Sequence, residues 1–93
     1  MKTIQEEIRE ISLQLELDIV TLNDYHFKVF QLHKKIKNHA YLILNSTACD
    51  LAYHAAKIAE YSTLLEEYNA EIEMLEKSIE IANADLENLE SEV

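Results

Sequence analysis

The sequence predicts an all-α fold, a long antiparallel helical hairpin of coiled-coil type, and three observations carry that expectation. Leu51, Ile58, Leu65, Ile72, Ile79, Leu86 and Val93 stand seven apart, and three residues after each of the first six come His54, Tyr61, Tyr68, Leu75, Ala82 and Leu89. An a/d seam sustained over six heptads marks a long helix packed against other helices. The chain contains no glycine and no proline, so nothing in it forces a helix to stop. Ala, Leu, Ile, Glu and Lys dominate the composition, so intrinsic propensity agrees with the periodicity.

Thr3 and Glu6 form a capping box that starts the first helix at Ile4. Its seam runs Ile4, Ile8, Ile11, Leu15, Asp18, Leu22, Tyr25, Val29, Leu32, Ile36, His39 and Ile43, in alternating steps of four and three. Ile11 to Ile19 alternate apolar and polar residues in a strand rhythm. The residues between, Ser12, Gln14, Glu16 and Asp18, form strands poorly, so the segment reads as a helix with apolar residues on two faces. Thr21 or Asn23 has the chemistry to cap a new helix, whereas the uninterrupted seam argues for continuity. The sequence therefore leaves open two helices over about 4–22 and 24–44, with the first folded back near Asn23, or one continuous helix. Asn45-Ser46-Thr47 is the strongest turn signal, and its match to a glycosylation sequon reads as chance. Ser46 or Thr47 caps a last helix over about 48–90, with Asp50 in its first turn, and that helix is roughly 65 Å long. A turn this short makes the arms antiparallel within one helical domain, 1–93. Facing positions then sum to about 92, which brings His39 beside His54 and Tyr25 beside Tyr68.

Charge is segregated along the chain. Residues 1–24 carry six acids and two bases, residues 25–49 four lysines and no acid, and residues 50–93 twelve acids and two lysines. The pairing rule places Lys28, Lys34, Lys35 and Lys37 opposite or near Glu60, Glu66 and Glu67, contacts that favour orientation and register. The net charge of −10 argues against nonspecific nucleic-acid binding and against anionic membranes. The charged start MKTIQEEIRE lacks the apolar core of an export signal. One cysteine rules out an internal disulfide. These features point to a cytoplasmic protein.

A hairpin hides only its seam, and this chain has more to hide. Leu13, Leu17, Val20, Phe27 and Phe30 lie off the seam on the first arm, and the sequence around the turn is apolar almost all round. A helix that is apolar on every side is expected to be buried. Small residues there, Ala52 and Ala56 among them, permit close helix approach. Leu13, Leu17, Val20, Phe27, Phe30, Tyr41, Leu44, Ala52 and Ala56 are therefore the expected interface with further copies, as a homo-oligomeric multi-helix bundle, or with another protein.

Three constellations bear on chemistry. His39, His54, Cys49 and Asp50 converge on the turn end, and two imidazoles with a thiolate or carboxylate are possible metal ligands. The spacing matches no established zinc pattern, and a hydrogen-bonded histidine pair in a small core, with Cys49 as a small buried residue, is the plainer reading. No Glu-x-x-His occurs, and His26 and His33 read as flank residues. Glu66, Glu67, Glu73, Glu76, Glu80 and Glu87 line the last helix, either as a solvated coiled-coil exterior or as a rod of carboxylates imitating nucleic-acid phosphates. The lysine-rich run from His26 to Tyr41 mixes cations with aromatics in a way that can suit RNA, but it is short of charge and lies beside the acidic helix. No glycine means no phosphate-cradling loop, and no long loop offers an active site. The expectation is a non-enzymatic protein-protein interaction module without cofactor, a small scaffold, adaptor or inhibitor that self-associates. The alternative is an acidic, DNA-mimic-like inhibitor of the phage or antitoxin type, and the third is a metal or small-ligand site at the turn end.

Overall fold

The computed structural model describes residues 1–92. Helix α1 (Ile4–Ile43) and helix α2 (Ala48–Ser91) lie antiparallel and form a rod of 68 × 17 × 14 Å. Thr3 Oγ1 accepts from the Glu6 amide and Thr47 Oγ1 from the Asp50 amide, so each helix starts on a threonine cap. Between the helices the last turn of α1 tightens, with the amides of Leu44, Asn45 and Ser46 donating to the carbonyls of Tyr41, Leu42 and Ile43. No described residue has a positive φ, so the reversal needs no glycine.

The fold-back at Asn23 does not occur; α1 is continuous over 40 residues. The punctuation residues are absorbed into the helix. Thr21 Oγ1 donates to the Leu17 carbonyl one turn back, and Asp24 pairs with Lys28 one turn on. A cap at Asn23 would satisfy donors that the continuous ladder already satisfies, and a fold-back there would take the seam off α2. The strand-like stretch from Ile11 to Ile19 is helical throughout.

The seam forms along both helices. From Ile8 to Ile43 on α1 and from His54 to Leu89 on α2 every seam residue is buried or half-buried; the seam position Val93 lies outside the described residues. Yet only Leu32 and Ile72 are closed from water, at 6% and 8% exposure. Two helices touching along one line cannot enclose a core, because each keeps most of its circumference in solvent. The apolar belt at the turn end is accordingly not buried in the single chain: Tyr41, Leu42, Leu44, Leu51 and Tyr53 are all exposed.

Candidate interaction surface

The outer side of α1 is the surface that stands out. Leu13, Val20, Phe27, Lys34 and Tyr41 are seven apart in a column turned about 180° from the seam, at ~100° per residue. Leu17, Phe30 and Leu44 flank it. The apolar members are exposed by 53% at Leu13 and up to 78% at Leu44. The stripe is continuous in direction, since all of it but the C-cap residue Leu44 rides on one unbroken helix. Its seven-residue spacing is a second, outward seam that could be read from the sequence, but the alternation at Ile11–Ile19 and the open break at Asn23 obscured it. The matching side of α2 has another character. Its outermost column is Ala56, Thr63, Ala70, Lys77, Ala84 and Ser91, flanked by exposed Glu66, Glu73, Glu80 and Glu87, also seven apart. Met74 and Ile81 form only a short apolar interruption there. Ala52 and Ala56 are exposed as well.

Electrostatics follow the helices rather than the gap between them. Among the described residues, the ion pairs are Lys2–Glu10, Lys28–Asp24, Lys57–Glu60 and Lys77–Glu73, each within one arm. The expected contacts from Lys28, Lys34, Lys35 and Lys37 to Glu60, Glu66 and Glu67 are not formed. The aromatic seam takes their place. Lys28 Nζ lies 5.3 Å from the Tyr25 ring centre and 5.8 Å from that of Tyr68, and Lys35 Nζ lies 5.5 Å from that of Tyr61. A lysine reaching across α1 meets a tyrosine face before it meets a glutamate. Hydrogen bonds to Glu10, Asp24 and Glu60, reinforced by the charge of each acid, raise Lys2, Lys28 and Lys57 above the ordinary 10.5. Raised lysine values stabilise the fold below the unfolded lysine value, and the contribution is lost as pH climbs through the folded one. Glu66, Glu67, Glu76, Glu80 and Glu87 take part in none of the ion pairs.

At the turn end the two histidines do meet. His39 Nδ1 and His54 Nδ1 are 2.7 Å apart in a half-buried contact, boxed by the rings of Tyr53 and Tyr61. The other two candidate ligands do not join them. Cys49 is exposed, not the small buried residue expected, because it lies off the seam, two residues before Leu51. The Asp50 carboxylate accepts from Thr47 Oγ1. Among the described residues no group of three His, Cys, Asp or Glu could hold a metal. Asp18 also finds a local partner, accepting from Gln14 Nε2 within α1.

No family model, curated protein or solved structure matches this chain. Its function must be argued from the two outward faces, one apolar and one acidic. No helix among the described residues is long and apolar enough to cross a membrane.

Proposed function

We propose that the protein is a non-enzymatic interaction module that self-associates through the outer face of α1. The observation that carries this is the exposed apolar stripe from Leu13 to Leu44. A monomer rarely leaves so many large apolar side chains along one face in water, and a two-helix rod with two buried residues has little core of its own to stabilise it. Closing the stripe supplies the missing burial and makes a bundle of four or more helices. Light scattering behind a sizing column tests this. The wild type should elute as a dimer or larger, and the Phe27→Asp/Phe30→Asp variant as a monomer. A monomeric wild type at tens of micromolar would refute it.

The acidic face favours a second, compatible reading. No lysine of α1 forms an ion pair with α2 among the described residues, and Glu66, Glu76, Glu80 and Glu87 take part in none of the ion pairs, so they stay available to a basic partner. This is the inhibitor or DNA-mimic reading. The E73K/E76K/E80K variant should keep the oligomer and lose capture of a basic, nucleic-acid-handling protein that the wild type retains. Equal capture by both would count against mimicry.

A further inference from the structure

We infer that a second copy of this chain docks on the outer face of α1 with the two α1 helices antiparallel, about a two-fold axis beside Lys28 and Val29. The inference rests on the self-association proposed above and supplies its geometry. Three observations carry it.

The first is charge. The first part of α1 is acidic, with six acids against two bases over residues 1–24, and the segment from 25 to 49 carries four lysines and no acid. A parallel pairing sets acids on acids and lysines on lysines. An antiparallel pairing brings the acidic part of each copy against the basic part of the other, which is the arrangement charge complementarity selects.

The second is shape. Two shallow hollows open on this face. Phe27, Phe30, Gln31, Lys34 and Lys35 border one, and Phe30, His33, Lys34, Lys37, Asn38 and Tyr41 border the other. Within the first, Phe27, Phe30, Gln31 and Lys34, and within the second, Lys34, Lys37, Asn38 and Tyr41, have the i, i+3, i+4, i+7 spacing of a hole that receives one knob from a facing helix. If facing residues sum to about 58, Phe27 of the second copy lies over the first hollow and Val20 of the second copy over the second. The same register sets Leu17 against Tyr41 and Asp24 against Lys34. Sliding by one heptad, about 10 Å, moves Leu17 off Tyr41, onto the charged Lys34 in one direction and past the end of α1 to Ala48 in the other. One register thus satisfies knobs, holes and charges together, and a two-fold pairing closes on itself.

The third is area. From Leu13 to Leu44 the stripe is about 47 Å long, and at a helix width near 10 Å it offers on the order of 500 Å² per copy. The total of about 1,000 Å² reaches the lower bound of a specific interface.

Cysteine cross-linking in a Cys49→Ser background tests the geometry, with light scattering on the same samples. Val20→Cys and Asn38→Cys are prepared separately and refolded together, and helicity is checked by circular dichroism. Mild oxidation should give a disulfide-linked dimer in the mixture and not in either variant alone, because the bond requires Cα atoms within about 7 Å. X-ray scattering of the unmodified protein adds a readout independent of any variant. An axis at residue 29 offsets the copies, so the particle should be about 16 Å longer than the 68 Å hairpin. Self-linking of Val20→Cys with a particle near 68 Å would mean a parallel pair and overturn the inference. A dimer without the mixed cross-link and without the added length would also overturn it, while leaving self-association standing. A monomer by light scattering would remove both.

Discussion

Two ring nitrogens 2.7 Å apart must share one hydrogen. One imidazole donates through Nδ1 and the other accepts there, so the contact tolerates a neutral pair or a singly charged pair, and a doubly protonated pair has no acceptor left. This is the one side-chain hydrogen bond that joins α1 to α2 among the described residues, and it occupies a seam layer that a leucine would fill. Replacing His39 alone with Leu should cost about 1 kcal/mol, because His54 loses its partner in a half-buried site, or about 4–8 °C in thermal midpoint. Replacing both, His39→Leu/His54→Leu, should raise the midpoint above wild type. Thermal melts followed by circular dichroism check this. A double variant less stable than the wild type would mean that the histidine pair contributes more than the leucine packing it displaces.

At the scale of the element, continuity of α1 has a direct consequence at Asn23. Inside an unbroken, solvated stretch of helix, alanine is favoured over asparagine by about 0.5 kcal/mol. Asn23→Ala should therefore raise the midpoint by about 2–4 °C. At a cap the same change would lower stability by about 1 kcal/mol, so the sign of the shift in a thermal melt decides between the two arrangements. The helices themselves were legible because their seams keep phase: steps of four and three pass Asn23 without a slip, and that regularity outweighed a local capping signal. The turn was legible from Asn45-Ser46-Thr47, whose side chains compete with helix for the backbone. The cross-helix lysine contacts were misread for a physical reason. Facing numbers place residues along the rod but not around it, and across the gap Lys28 and Lys35 lie over the rings of Tyr68 and Tyr61 rather than against a glutamate. The histidine pair was legible from facing numbers because both residues lie on the seam itself. Cys49 and Asp50 were not, since neither is a seam residue.

At the scale of the whole molecule, the balance of burial and exposure bears on the self-association proposed above. Of this chain's apolar residues only Leu32 and Ile72 are closed from water, so if the self-association proposed above covers the rest, the folded hairpin and the oligomer should melt together. The sequence carried the surplus of apolar residues, but its arrangement as one outward stripe needed α1 to be a single straight element. If the dimer is the folded unit, mass action makes its midpoint depend on concentration. Taking the average unfolding entropy per residue for two chains of 93 residues, a tenfold dilution should lower the midpoint by about 3–4 °C. Phe27→Asp/Phe30→Asp should abolish that dependence and melt at lower temperature at every concentration. The comparison requires only melts across two decades of protein concentration. A midpoint that does not move on dilution would mean that the hairpin is stable alone, and the exposed stripe would then be a surface kept open rather than one half of a core.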